Sequence, residues 1–147
     1  MRSLLSVVFV LALAGCAAPV VQLYDGPTRA SAEQVVLRVE ARGRTFAGER
    51  IDIQQIDDRH TLSTGEGILS ASTGAQAVYL LPGKHTVRAR YRGPGTALTA
   101  NLWFVGEAGG SYLVRTEKTG DAVKVFIEDE KTGQPTGGVR GSADEPK

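Results

Sequence analysis

Residues 77–91 read AVYLLPGKHTVRARY and carry the clearest structural signal in the chain. Pro82 fits the second position of a type II turn because its ring fixes φ, and Gly83 fits the third position because φ must be positive there. We therefore expect a strand on each side of this turn. Along the second strand, alternation predicts two faces, with Val87, Ala89 and Tyr91 toward a core and Thr86, Arg88 and Arg90 toward solvent.

Alternating apolar residues before and after this segment predict five further strands. They lie near residues 35–41, 51–56, 98–104, 112–116 and 123–127. The first is ambiguous, since residues 31–41 also fit a helix with capping-box spacing at its start, but the valines there favour a strand. In the second, Ile56 falls out of phase with the isoleucines before it, which predicts a β-bulge near Gln54 or Gln55.

The composition points to the same fold class, because 6% aromatic residues and 18 glycines are typical of short strands joined by turns. We expect an all-β protein, an antiparallel β-sandwich of about six to seven strands, formed by residues 34–131. Residues 61–76 should form a long loop, with one weak strand around Ile68 and Leu69. Residues 132–147 have too few apolar side chains to pack and are expected to be a disordered tail.

The first fifteen residues have the pattern of an export signal. Arg2 supplies a positive start, and residues 4–13 (LLSVVFVLAL) form an apolar run of the length of a secretory core. A bilayer span needs about 20 residues, so this run is too short to be one. A buried strand or helix is the other interpretation, but no turn or polar face accompanies the run. We expect residues 1–15 to be a signal peptide.

The signal ends at the only cysteine of the chain, in the sequence LAGC of residues 13–16. This motif resembles the lipobox of bacterial lipoproteins, in which small residues fit the signal peptidase and the thiol accepts diacylglycerol. The resemblance implies cleavage before Cys16 and a lipid anchor on its sulfur, because several acyl chains hold a protein stably in a membrane. Residues 12–14 also fit an ordinary cleavage site, but that cut would leave an unpaired thiol in an oxidising compartment.

The residue after the cysteine indicates the destination. Lipoproteins of the enterobacterial kind stay in the inner membrane when an aspartate follows the cysteine, whereas Ala17 stands here. The resemblance therefore implies the outer membrane, with the domain facing the periplasm. Residues 16–33, broken by Pro19, Gly26 and Pro27, are expected to form a lipidated tether.

A second resemblance lies in residues 81–87 (LPGKHTV). They are similar to the strand-turn-strand unit of PEGA-type and transthyretin-like sandwich domains, where a Pro-Gly turn precedes an outward polar residue and an inward valine. Small bacterial lipoproteins of similar layout also end in a strand, an aspartate and a Thr-Gly pair, as Ile127, Asp129 and Thr132-Gly133 do. This resemblance implies a sandwich fold and carries no catalytic residues.

The sequence offers little for catalysis or metal binding. Asp57, Asp58 and His60 lie close enough on one turn to consider as ligands, but zinc requires three or four well-spaced donors, so a solvated turn is favoured. His85 is expected to form hydrogen bonds at the mouth of a hairpin. No nucleophile motif or phosphate-binding glycine loop is present. We therefore expect no enzyme activity, no metal and no cofactor.

The most suggestive surface feature is a basic row, in which Arg88 and Arg90 point outward, Arg92 follows, and Trp103 points outward on the next strand. Arginine binds phosphate in a bidentate fork, so the row could meet lipopolysaccharide phosphates or an acidic envelope protein. The alternative is a solvated strand whose charges discourage edge pairing. Without the leader the formal charges balance, which gives no general attraction to nucleic acid.

These observations favour a membrane-anchored envelope lipoprotein that acts as a non-enzymatic binding or structural accessory module. Two alternatives remain open at this stage. One is an envelope enzyme with an unrecognised active site, and the other is a spacer protein without a specific ligand.

Overall fold

The computed structural model describes residues 20–40, 49–61 and 77–146. One three-residue 3-10 helix, Ser31–Glu33, lies among eleven β-strands in these residues. The strands are, in chain order, β1 Val20–Gln22, β2 Val35–Val39, β3 Arg50–Ile56, β4 Arg59–His60, β5 Ala77–Leu80, β6 Gly83–Gly93, β7 Thr96–Gly106, β8 Ser111–Thr119, β9 Ala122–Asp129, β10 Gln134–Thr136 and β11 Gly138–Val139.

The strands form two sheets that pack together. The six-stranded sheet has the order β1-β5-β2-β8-β9-β10, and the five-stranded sheet has the order β11-β7-β6-β3-β4. All seven strands predicted from alternation outside the long loop are present, and the all-β sandwich is confirmed. Two neighbouring pairs, β1 with β5 and β2 with β8, are parallel rather than antiparallel. Alternation within a strand fixes its two faces but not the direction of a distant partner, so the sequence could not reveal this.

The core lies between the inner faces of the two sheets. Each burial of a valine, leucine, isoleucine or phenylalanine side chain contributes about 1.5–3 kcal/mol, so these contacts supply most of the driving force for folding. The Phe104 and Tyr112 rings meet across the core with their centroids 5.0 Å apart. The side chains that are almost fully buried include Val35, Leu37, Val78 and Val114 from one sheet, and Ile53, Val87, Ala89 and Phe104 from the other.

The Pro82–Gly83 turn connects the two sheets. Gly83 has a φ of +139°, a positive value as predicted. However, β5 pairs with β1 and β2, whereas β6 pairs with β3 and β7. The turn is therefore a corner at which the chain leaves the six-stranded sheet, and not a hairpin. It places β6 at the centre of the five-stranded sheet, with neighbours along its whole length.

The two local predictions for β2 and β3 are confirmed. Residues 35–39 form a strand with inward Val35, Leu37 and Val39, while the residues just before it form the 3-10 turn. In β3 the register against β6 shifts between Ile53 and Gln55. This bulge returns Ile56 to the core, where it is 1% exposed.

The predicted tether is wrong for the residues that the structure describes. β1 completes one edge of the six-stranded sheet by pairing with β5. Tyr24 is buried, and its hydroxyl accepts hydrogen bonds from Gln34 Nε2 at 2.9 Å and from the Arg29 backbone N–H at 3.1 Å. Hydrogen bonds of this kind order residues 20–33 although the segment is interrupted by glycine and proline.

The prediction of a disordered tail is also wrong. β10 pairs with β9 in one sheet and β11 pairs with β7 in the other, so the C-terminal segment joins both sheets along one side of the sandwich. Backbone hydrogen bonds order this segment. The prediction failed because it relied on the scarcity of apolar side chains, which says nothing about backbone pairing. The signal peptide at residues 1–15, Cys16 and the weak strand around Ile68 and Leu69 lie outside the described residues.

Candidate functional site: a basic face on the five-stranded sheet

The predicted basic row lies on the outer face of the five-stranded sheet. Val87, Ala89 and Tyr91 of β6 are buried, so Arg88 and Arg90 between them point away from the core. The register adds one arginine that the sequence analysis had not placed in this row, because Arg50 of β3 stands opposite Arg92 of β6. We call Arg50, Arg88, Arg90 and Arg92 the basic face.

A buried aspartate lies within the basic face. Asp52 stands opposite Arg90 and is only 1% exposed, although it points to the outer side of the sheet. Its Oδ1 is 3.6 Å from Nε of Arg50, and within the described chain neither carboxyl oxygen has a hydrogen bond. Burial raises the pKa of Asp52, and this effect exceeds the opposing attraction of Arg50, Arg92 and Arg90.

Some of the arginine donors are also unsatisfied. Arg50 Nη2 and Arg92 Nε are both buried and have no hydrogen-bond partner within the described part of the chain. A buried donor without a partner costs about 1–3 kcal/mol, so the fold bears this cost at both nitrogens. The sequence could place arginines on a face, but it could not show that their donors lack partners.

The opposite outer face provides a comparison, because its arginines are paired with carboxylates. Arg38 Nη2 lies 2.7 Å from Glu130 Oε2 on the six-stranded sheet. Arg115 lies 2.8 Å from Glu128 and 3.1 Å from Glu40, so its guanidinium bridges two acids. Among the described residues, the outward arginines of the six-stranded sheet are therefore paired with carboxylates at 2.7–3.1 Å, whereas the one ion pair on the basic face joins Arg50 to Asp52 at 3.6 Å.

A small polar cavity of about 210 Å³ adjoins Arg88. Arg140 of the C-terminal segment also lines it, and the Arg140 backbone N–H donates to Asn101 O at 2.9 Å. The remaining lining residues are Gln55, Asp57, Thr86, Val87 and Asn101. Two guanidinium groups, one carboxylate and several uncharged polar groups line this cavity, so it suits a small polar ligand better than an apolar one.

Trp103 lies on the same outer face, opposite Thr86, but its side chain contacts the C-terminal segment. Its Nε1 donates to Ser142 Oγ at 3.2 Å, and Gly138 of β11 is its partner in the sheet. The predicted pairing of Trp103 with the arginines in one binding surface is therefore weakened, since the C-terminal segment occupies part of its ring. This contact was not predicted because the C-terminal segment was expected to be disordered.

Asp57 lies in the turn after β3, and its side chain forms hydrogen bonds that stabilise the fold. Asp57 Oδ1 accepts the Thr86 backbone N–H at 2.8 Å, and Oδ2 lies 2.9 Å from His85 Nδ1. His85 Nε2 lies 2.7 Å from Leu81 O, so this ring stabilises the corner between sheets rather than a hairpin mouth. His60 stands opposite Gln55 and is exposed. Within residues 20–40, 49–61 and 77–146, no three histidine, cysteine or acidic side chains are grouped to hold a metal ion.

The hydroxyl of Ser111 is also engaged. It donates to Glu130 and accepts a hydrogen bond from Arg38 Nη2 at 2.8 Å. Partial burial acts to raise the pKa of Glu130, but the hydrogen bonds from Ser111 and Arg38 outweigh it, and the pKa is lowered. A carboxylate held in this way accepts hydrogen bonds and is poorly suited to act as a base toward the serine.

The chain gave no match when it was compared with protein families, with curated proteins and with solved structures. In the described ranges, no helix has the length and apolar character that crossing a bilayer requires.

Proposed function

We propose that this protein is a lipoprotein of the bacterial envelope, anchored in the outer membrane through Cys16, that acts as a non-enzymatic binding module for an anionic partner. The LAGC motif at residues 13–16 supports the anchor, because a lipidated thiol accounts for a single cysteine in an exported chain. The basic face supports the binding role.

The observation that carries this proposal is the contrast between the two outer faces. Arg38 and Arg115 have carboxylate partners at 2.7–3.1 Å. Within the described part of the chain, Arg50 forms an ion pair only with Asp52, at 3.6 Å, and burial disfavours the charged form of that carboxyl. An excess of positive charge on one sheet favours partners that bear phosphate or carboxylate groups.

Two features favour a binding module over an enzyme. The His85 ring is already bonded to Asp57 and to Leu81 O, and within the described chain no serine hydroxyl forms a hydrogen bond with a histidine. A nucleophile-base pair normally requires such a contact. The outward arginines can bind an anion without a catalytic group beside them.

The anchor is tested by mass spectrometry and by fractionation of cells. Globomycin should cause the uncleaved precursor to accumulate, and Cys16→Ser should release the protein from the membrane fraction. A mature, soluble protein that is insensitive to both treatments would contradict the anchor.

The binding role is tested with matched pairs of substitutions. Arg88→Ser with Arg90→Ser removes two charges from the basic face, and Arg38→Ser with Arg115→Ser removes two from the neutralised face. We expect only the first pair to reduce the retention of lipopolysaccharide or of an acidic envelope protein in a pull-down. Equal retention by both double variants and the unmodified protein would refute the role of the basic face.

A further inference from the structure

The end of the sandwich nearest the proposed anchor can be identified from strand directions. β2 runs antiparallel to β5 and parallel to β8, so the start of β5 and the ends of β2 and β8 lie at one end. Val20 is there as well, because it pairs with Ala77, the first residue of β5. Since Val20 is the first described residue after Cys16, we call this the anchor end.

The same end of the five-stranded sheet is identified by a contact between sheets. Lys118, near the end of β8, has its Nζ 5.9 Å from the centroid of the Tyr91 ring. Tyr91 lies near the end of β6, and its neighbour Arg92 stands opposite Arg50, the first residue of β3. Arg50 and Arg92 are therefore at the anchor end, with Arg90 and Asp52 next to them, whereas Arg88 lies further away.

The chain between the cysteine and the fold is short. Three residues separate Cys16 from Val20. Even a fully extended chain spans no more than about 3.6 Å per residue, so the Cα atoms of Cys16 and Val20 can be at most about 14 Å apart. Because β1 is part of the sandwich and not of a long tether, a lipidated Cys16 would hold the anchor end beside the lipid headgroups.

The charges at the anchor end are unequally distributed. On the six-stranded side, Arg115 lies 3.1 Å from Glu40, and Lys118 contacts Glu49. On the five-stranded side, three arginines surround one carboxyl, that of Asp52. Two of their nitrogens, Arg50 Nη2 and Arg92 Nε, are buried and lack acceptors in the described chain. The unsatisfied positive charge at this end is therefore on the five-stranded sheet.

We propose that Arg50, Arg90 and Arg92 bind headgroup phosphates of the membrane that holds Cys16, so that the anchor end of the five-stranded sheet lies at the bilayer surface and the opposite end points away from it. This inference assumes the proposed lipid anchor and assigns an orientation to the anchored domain. Phosphate oxygens can accept from two guanidinium donors at once, and all three arginines are partly exposed on the outer face of the sheet. Because the anchor lies within about 14 Å, the arginines meet the headgroups at a high effective concentration. Weak individual arginine–phosphate contacts are therefore enough to hold the domain at the surface.

The orientation can be measured on the lipidated protein in nanodiscs that contain phosphatidylglycerol. Ala97 is exposed and stands opposite Arg92, whereas Ala108 is exposed in the turn between β7 and β8 at the other end. Ala97→Cys and Ala108→Cys each provide one free thiol for a spin label, because the thiol of Cys16 is blocked by lipid. Nickel-chelating lipids in the nanodisc should relax the label at 97 strongly and the label at 108 weakly.

The arginines are tested in the same assay. An arginine near an anionic surface contributes about a fivefold preference, so each of Arg50→Ser, Arg90→Ser and Arg92→Ser should lower the ratio of docked to undocked protein by about that factor. Arg38→Ser on the opposite face is the control and should leave the relaxation at 97 unchanged. A triple variant that carries all three substitutions is measured as well. The single variants keep the result interpretable if the triple variant fails to fold.

The outcomes separate this inference from the proposed function. If the thiol of Cys16 is bare and the protein does not enter nanodiscs, the anchor itself is refuted. If the protein is anchored but both labels relax equally, or if the arginine variants match the control, the orientation is refuted and the anchor stands.

Discussion

Asp57 Oδ2 lies 2.9 Å from His85 Nδ1, and this pair joins the turn after β3 to the beginning of β6. The other carboxyl oxygen of Asp57 accepts the Thr86 backbone N–H, and the Asp57 backbone N–H donates to Thr86 O at 2.8 Å. Asp57 has a φ of +52°, the only positive value among the described residues other than glycine. One side chain therefore fixes both the turn and the corner between the two sheets.

The first prediction concerns the removal of this side chain. Asp57→Ala loses the contacts to His85 and Thr86 and leaves an alanine in the left-handed region, so we expect a loss of about 2 kcal/mol in the free energy of unfolding. Asp57→Asn retains an acceptor for Thr86 and tolerates positive φ, so it should lose less than half as much. Urea denaturation measures both variants. Equal losses would show that the charge, and not the backbone contact, is what matters.

The second prediction concerns the pH dependence produced by Asp52. Because the folded state raises the pKa of Asp52, it binds the proton more tightly than the unfolded chain does. Stability should therefore fall as pH rises from the ordinary aspartate value of 3.8 through the raised folded value. Asp52→Asn cannot ionise, so its stability relative to the unmodified protein should improve as pH rises above the ordinary value of 3.8 and should level off once the raised folded value is passed.

Thermal unfolding at a series of pH values measures this difference. The exposed Asp121→Asn removes the same formal charge elsewhere and serves as the control. A difference between Asp52→Asn and the unmodified protein that stays constant across the pH series would contradict the raised pKa.

The third prediction concerns the hydrogen bond from Ser111 to Glu130. This bond and the one from Arg38 keep the pKa of Glu130 low against the effect of burial. Ser111→Ala should move that pKa upward, as seen in a carboxyl-carbon NMR titration. A lowered pKa stabilises the fold above the unfolded value and the benefit is lost as pH falls through the folded value, so the variant should be less stable mainly at neutral pH. Ser142→Ala is the control and should not move the pKa of Glu130.

The parts of the fold that the sequence predicted are those set by neighbours along the chain. Val87, Ala89 and Tyr91 alternate with the arginines, and that local pattern was sufficient to place Arg88 and Arg90 on one outer face. Likewise, the phase change at Ile56 was sufficient to predict the bulge.

The parts that it missed depend on pairing between distant residues. Arg50 joins Arg92 only because β3 lies beside β6, and Asp52 becomes a buried neighbour of Arg90 for the same reason. The order of the C-terminal segment depends on backbone hydrogen bonds to β7 and β9, which leave no pattern in the side chains of that segment.

The fourth prediction concerns Gly137, which lies between β10 and β11 where the C-terminal segment passes from one sheet to the other. Its φ is +71°, and a Cβ there would overlap the Trp103 carbonyl oxygen. Gly137→Ala should therefore separate β11 from β7, shift the fluorescence of the single tryptophan to the red, and cost about 1–3 kcal/mol.

Gly133→Ala is the matched control, because its φ is +68° but nothing lies within 4 Å of the added carbon. It should show the backbone strain alone, about 1 kcal/mol, without the red shift. Equal emission spectra for the two variants would mean that the C-terminal segment does not cover Trp103.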